Sequence, residues 1–281
     1  MSPSRPAGPA LSASSGAGGS PREAAALRSL AVIPARLGST RLPRKMLLEQ
    51  TGLPLFAHTA RAVLRAGNVT RVVIATDSRE ILAAATRHGL EALLTSSEHK
   101  SGTDRVHEAA LELARAPDGN YDVVINVQGD EPEIDADALS GLLALFADPA
   151  VEMASLYAPL LDAESFTSPN AVKVVVDRAG NALYFSRAPI PSRAHPGSTG
   201  ADGADAVKLH LGVYGFRPAA LARFVALPPS ALEAAENLEQ LRWLDAGHRI
   251  RMARASRASR GIDTPEDYAA FVARQRAANR S

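Results

Sequence analysis

Arg36, Arg41, Arg44 and Lys45 fall in one short stretch, interleaved with Gly38, Ser39 and Thr40. Guanidinium and ammonium groups beside a glycine and hydroxyls suit a polyphosphate, because backbone N–H groups favour anions and the cations neutralise the remaining charge. Charge alone fits a solvated basic loop equally well. Two acids complement these cations. Asp130 lies just past an apolar run, where a carboxylate at a strand's C-terminal end faces a ligand crevice, and Asp263 precedes a helix. Each also has an ordinary reading as a turn or capping residue. Together they could hold Mg2+ against a triphosphate, since magnesium binds through one or two carboxylates plus substrate phosphates and keeps several waters. The chemistry would be in-line attack at a phosphoryl group, with metal and cations absorbing the developing charge.

Other residues carry weaker signals. In Ser101-Gly102-Thr103-Asp104-Arg105 a helix cap explains Ser101 and Asp104, but not a cation beside a positive helix end. Arg105 is therefore expected to meet an anion or a carbonyl. His210 by itself reads first as a core histidine, and Glu236, Glu239 and Gln240 share a helix face that solvent would also explain. His99 and His107 have no metal spacing. The chain lacks G-x-x-x-x-G-K-[ST], G-x-G-x-x-G and G-x-S-x-G, which argues against a P-loop nucleotidase, a dinucleotide-binding dehydrogenase and a nucleophile elbow. With no cysteine there is no disulfide, thiolate metal site or cysteine nucleophile, so any metal must sit on oxygen or imidazole.

The elements that must position these groups alternate. Apolar runs at 30–33, 71–76, 90–95 and 121–127 read as strands, the first breaking at Pro34 into the cationic loop. Helical patterns begin at Leu55 and cover 81–88, a stretch through Val106 to Leu113, and 135–146. Near-continuous apolar strands separated by helices indicate a parallel sheet covered on both faces. The second half is more mixed. Strands are expected at 153–161, 171–176, 182–186 and 210–216, with a hairpin turn at Asp177-Arg178-Ala179-Gly180-Asn181. A mobile loop is expected at 191–206 and one continuous helix at 232–246. Thr264 caps a last helix, with Pro265 in its first turn and Asp267 completing a capping box.

The 281 residues are 46% hydrophobic and 22% charged, as in an ordinary globular protein. A net charge of +1 offers no electrostatic case for nucleic acid or membrane surfaces. No run approaches a membrane span and no secretory signal is visible, so a cytoplasmic protein is expected. Residues 1–28, rich in Ala, Ser, Gly and Pro, read as a disordered tail. The remainder divides into an α/β nucleotide-binding half at 29–150, a strand-rich region at 151–230 and C-terminal helices at 231–276.

Several stretches together resemble the 3-deoxy-manno-octulosonate (Kdo) cytidylyltransferase, or CMP-Kdo synthetase, family. They are Pro34-Ala35-Arg36, Ser39-Thr40-Arg41-Leu42-Pro43 with Lys45, Ala75-Thr76-Asp77, Ser101-Gly102-Thr103 with Arg105, and Asn126-Val127-Gln128-Gly129-Asp130-Glu131-Pro132. The second half adds Pro169-Asn170-Ala171-Val172-Lys173, Tyr184-Phe185-Ser186-Arg187, His210-Leu211-Gly212-Val213-Tyr214, Leu238-Glu239-Gln240-Leu241 and Gly261-Ile262-Asp263-Thr264-Pro265. The resemblance runs over 30–271 and implies a doubly wound, mostly parallel α/β sheet of the nucleotide-diphospho-sugar transferase type. It implies that CTP and Kdo give CMP-Kdo and pyrophosphate with Mg2+, for lipopolysaccharide biosynthesis, in a cytoplasmic homodimer. Arg36, Arg41 and Lys45 would bind the triphosphate, and Thr76, Ser101, Arg105 and Gln128 would frame the nucleotide. Asp130 and Asp263 would hold Mg2+ and, with Arg36 and Lys45, carry the chemistry. Gln128, Arg187, His210, Tyr214, Glu239 and Gln240 would line the sugar site. Alternatives are another acidic sugar, such as 8-amino-Kdo or an N-acylneuraminate, and a catalytically silent nucleotide-binding regulator. Two residues depart from the family pattern: Arg44 stands where glycine is usual and Met46 where proline is common.

Overall fold

The computed structural model describes residues 27–160, 162–192, 207–259 and 261–278. Residues 1–26 of the tail expected at 1–28, and most of the loop expected at 191–206, lie outside these residues. Arg28, which the sequence placed in the tail, is held: its backbone N–H donates to Asp122 Oδ2 at 2.8 Å.

Four strands, β1 (Ser29–Ala35), β2 (Arg71–Thr76), β3 (Ala92–Leu94) and β4 (Val123–Asn126), run parallel in the spatial order β3-β2-β1-β4. All of β1 and β4 is buried, which is why both read as unbroken apolar runs rather than alternating ones. The sheet then continues through the boundary at 150. β8 (Lys208–Phe216) pairs antiparallel with β4 and with β5 (Met153–Pro159), and β9 (Arg251–Arg254) closes the edge parallel to β5. β6 (Lys173–Val176) and β7 (Ala182–Ser186) form the expected hairpin, turned by Gly180 at φ 81° and joined to β8 through β6.

Helices cover both faces. α1 (Leu55–Arg65), α2 (Arg79–Arg87) and α4 (Ala136–Ala144) bury Phe56, Ile81 and Leu139 on one side. α3 (Gly102–Ala114), α6 (Pro218–Ala226) and α8 (Leu241–Asp245) bury Val106, Phe224 and Trp243 on the other. The short α5 (Ala163–Thr167) buries no residue. The last helix, α9 (Pro265–Ala278), forms a third cluster in which Ile262, Tyr268, Phe271 and Val272 pack with Leu42 and Leu55. Its start carries the expected reciprocal cap between Thr264 and Asp267. This cluster ties the end of the chain to the cationic loop.

Two expectations are corrected. β1 does not break at Pro34, which stays in register with Ala75 while Ala35 pairs with Thr76. Pairing of β1 with β4 ends at Val32 and Asn126, and Val32 O accepts from Val127 N on that side. Residues two apart on a strand point their peptide groups the same way, so the N–H that Pro34 lacks would face the side where the ladder has ended. The helix expected at 232–246 is two helices, α7 (Ala231–Glu236) and α8, separated by Asn237 at φ 51°. Asparagine tolerates this left-handed conformation, and the break turns Leu238 into the core.

The departures from the family pattern have physical counterparts. Arg44 adopts φ 57°, the conformation for which glycine is the default, and its guanidinium pairs with Glu80 in the first turn of α2. Met46 is buried beneath Gly129, where an added Cβ would lie 3.1 Å from both Met46 Sδ and Pro34 O. Left-handed strain costs about 1–2 kcal/mol, whereas an exposed ion pair contributes about 0–1 kcal/mol. Arg44→Gly is therefore expected to be near neutral, and Arg44→Ala less stable than Arg44→Gly by about 1 kcal/mol. Urea unfolding of both variants checks this; equal midpoints would mean that the residue does not hold a left-handed conformation.

Candidate active site

The C-terminal ends of β1 and β4 open into a cleft of about 660 Å3. It lies where the strand order departs on either side of β1, the usual ligand position in an open α/β sheet. The loop after β1 supplies Arg36, Arg41 and Lys45; the segment before α3 supplies Lys100 and Ser101, and α3 supplies Arg105. From the loop after β4 come Gln128 and Asp130, and Asp263 arrives from the segment before α9. Five cations thus face two carboxylates, an excess suited to a polyanion.

At the centre Lys45 Nζ lies 2.5 Å from Asp130 Oδ2, 2.8 Å from Asp263 Oδ1 and 3.0 Å from Ile262 O. All three ammonium hydrogens therefore have acceptors. Arg41 takes the other Asp263 oxygen at 3.0 Å. A backbone bond from Ile262 N to Asp130 O, 2.9 Å, brings the two acids side by side. Burial pulls the Lys45 pKa down, but the Asp130 and Asp263 charges outweigh it and hold the group above the ordinary lysine value. Its neighbour Glu131 is different: burial, reinforced by Asp130 and Asp263, pushes that carboxyl up to about 7. Glu131 consequently resists adding a third negative charge. Among the described residues no group of three or more His, Cys, Asp or Glu side chains could hold a metal. The pair Asp130 and Asp263 does fit magnesium, as a hard oxygen donor set that already converges on a cation and leaves phosphates and waters to complete the shell.

Ser101 caps α3 in a full capping box with Asp104, aiming the helix N-terminus at the cleft. Arg105 has the anionic partner its position demanded, and it is the protein's own Asp77 at 2.9 Å, with Thr95 Oγ1 at 2.5 Å. Thr76 is buried at the end of β2, where Oγ1 accepts from Ser78 N. It does not line the cleft. Arg44 also stays outside, on Glu80.

Of the residues assigned to a sugar, Gln128 lines the cleft, whereas Arg187, His210, Tyr214, Glu239 and Gln240 do not. Glu239 accepts from Thr103 Oγ1 at 2.7 Å; burial raises its pKa, while the Thr103 and Ser101 hydroxyls and Arg242 oppose the rise. Gln240 is buried, and its Nε2 has no partner among the described residues. His210 sits in the core between Phe185 and Tyr214 with Nε2 3.0 Å from Ser155 Oγ. Burial lowers its pKa to about 3, so the ring stays neutral, and burial raises that of Tyr214. Arg187 donates to three carbonyls, Glu236 O, Pro169 O and Asn237 O, while its backbone N–H meets Glu236 Oε2. The broken helix thus sends Glu236 to Arg187 and Ser186 and Glu239 to Thr103, rather than placing both on one face.

Sequence reasoning missed three polar residues. Lys100 lines the cleft beside Ser101, and its position in a loop leading into a helix was the available signal. Thr103 and Asn126 are buried next to Glu239 and Gln128, and nothing in their spacing distinguishes them from structural polar residues.

The sequence profile described as cytidylyltransferase matches residues 30–250. A 3-deoxy-manno-octulosonate cytidylyltransferase of Anaeromyxobacter sp. (strain Fw109-5) is 48% identical over 241 residues, covering 85% of this chain and 93% of that protein. A protein of the same name from Nitratidesulfovibrio vulgaris (strain DP4) is 46% identical, covering 86% and 93%. A solved CMP:2-keto-3-deoxy-manno-octonic acid synthetase complexed with CTP superposes with a TM-score of 0.80 at 36% identity, over 89% of this chain and 98% of that one. A 4-diphosphocytidyl-2C-methyl-D-erythritol synthase from Anaerococcus prevotii, 13% identical with a TM-score of 0.57 over 89% and 99%, shares the fold. By sequence and by fold, this chain belongs to the 3-deoxy-manno-octulosonate cytidylyltransferase family.

Proposed function

We propose that the protein transfers the cytidylyl group of CTP to Kdo, releasing pyrophosphate. The observation that supports this most strongly is the conjunction of a cationic loop with two convergent carboxylates at the strand ends, in a chain 48% identical to a named enzyme of that activity. The anomeric hydroxyl of the sugar attacks the α-phosphorus, the bond to the β-phosphate oxygen breaks, and the hydroxyl proton leaves to solvent. Arg36, Arg41, Lys45 and Lys100 neutralise the triphosphate, and the α3 N-terminus adds a fixed partial charge. No side chain need form a covalent intermediate. Positioning and electrostatics suffice, as is usual in phosphoryl transfer.

Magnesium belongs to the same proposal. Asp130 and Asp263 would hold it, and when bound it supplies positive charge that reduces repulsion between two anionic substrates. Lys45 and Arg41 occupy these carboxylate oxygens in the structure, so both cations are already placed to turn toward phosphate. On the sugar side, the buried Gln240 Nε2, without a partner among the described residues, costs free energy unless a ligand supplies an acceptor. A lipopolysaccharide pathway, a cytoplasmic location and a homodimer follow from the same reading. Leu183, 59% exposed on β7, offers apolar surface in the strand-rich region for the dimer contact.

Purified protein with CTP, Kdo and Mg2+ is expected to release pyrophosphate, with loss of activity when sugar or metal is omitted. Release with a different acidic sugar but not with Kdo would move the substrate assignment, and CTP binding without any release would support a regulator. Asp130→Asn should lower kcat by about 100-fold or more while circular dichroism stays unchanged. Turnover near wild type would remove Asp130 from the metal site. Light scattering should give about twice the 29.5 kDa chain mass, and the mass of a single chain would overturn the dimer.

A further inference from the structure

A line of side chains runs from the cleft into the interior. Gln128 lines the cleft, and its Nε2 donates to Asn126 Oδ1 at 3.4 Å. Asn126 Nδ2 donates to Thr103 Oγ1 at 3.3 Å, and Thr103 Oγ1 donates to Glu239 Oε2 at 2.7 Å. Every donor points the same way, and the last acceptor is a carboxylate. Such a chain polarises each member in one sense, and the shortest contact is the one to the charged end. Its two middle members are almost inaccessible, Asn126 at 1% and Thr103 at 3%, so water does not compete for them.

The direction has a chemical consequence. Thr103 has one hydroxyl hydrogen, and the carboxylate of Glu239 takes it, so Thr103 can only accept from Asn126. Asn126 must then turn its amide nitrogen to Thr103 and its oxygen to Gln128. Gln128 is left giving an N–H inward, so the relay leaves its Oε1 to the cleft that Gln128 lines. We propose that Asn126 and Thr103 are positioning residues that fix the Gln128 carboxamide with its oxygen presented to the attacking hydroxyl of the sugar. The relay also ties the nucleotide half of the site to the segment between α7 and α8 that carries Glu239. This proposal rests on the cytidylyltransferase reading above.

The test uses the full-length chain with wild-type sequence, Thr103→Val, Thr103→Ser, Gln128→Ala and the Thr103→Val/Gln128→Ala double variant. Valine keeps the shape of threonine and removes the hydroxyl, whereas serine keeps the hydroxyl. Pyrophosphate release should show kcat reduced about tenfold or more in Thr103→Val, with KM for CTP within about twofold and most of the rate restored in Thr103→Ser. In the Gln128→Ala background, Thr103→Val should add less than about a twofold loss, because the relay then has nothing to orient. Full kcat in Thr103→Val, an undiminished loss in the double variant, or a Thr103→Ser variant as slow as Thr103→Val would each overturn the relay. An inactive wild type would count against the cytidylyltransferase reading, and the relay would then be read from the Gln128 side-chain amide by NMR. Thr103→Val should shift the Gln128 resonances and speed their hydrogen exchange, and unchanged resonances would overturn the proposal.

Discussion

A single ammonium group holds the site together. Lys45 Nζ bridges Asp130 and Asp263, which are brought from the middle and the end of the chain, and it also binds the Ile262 carbonyl. Two carboxylates placed this close in a half-buried cleft would repel each other and stay poorly hydrated without a cation between them. Lysine suits the task because its compact charge and flexible stem can follow one set of acceptors and later another. The neighbouring Arg44 sets the backbone for it by taking the left-handed conformation, with Glu80 anchoring its side chain on α2.

This node constrains the fold around it. Asp263 reaches Asp130 only because Ile262 hydrogen-bonds to the Asp130 carbonyl and because α9 buries Tyr268 and Phe271 against Leu42 and Leu55. The hydrophobic contact and the polar one act on the same loop. On the opposite wall, the capping box of α3 places Ser101 at the cleft rim, and Arg105 fastens the first turn of that helix to Asp77 at the end of β2. The strand ends therefore present polar groups in a defined array, which is the arrangement positional catalysis requires.

Much of this was legible in the residues, and the failures are instructive. The parallel strands were visible because burial on both faces leaves an unbroken apolar run, and the cleft followed from where those strands end. Pro34 misled because proline usually ends a strand, whereas here its missing donor falls beyond the last rung shared with β4. The helix at 232–246 misled because Leu232 and Ala235 before Asn237 and Leu238, Leu241 and Leu244 after it recur every three residues, and local periodicity cannot register one left-handed residue. Arg105 was correctly expected to need an anion. That the anion is Asp77 depended on how β2 and α3 pack.

The sequence by itself determined the ingredients: an α/β sheet, a cationic loop without a common phosphate fingerprint, and two acids, one after a strand and one before a helix. Residue type and local spacing suffice for that, because charge, hydrogen-bonding capacity and burial pattern are properties of the residues themselves. Only the tertiary structure decided which charges meet. It put Lys45 rather than Arg44 between the acids, set Arg187 on backbone carbonyls, buried His210 against Ser155, and joined Gln128 to Glu239 through Asn126 and Thr103. These contacts link residues far apart in the chain, and their geometry is fixed by the packing of both sheet faces, which no local pattern encodes.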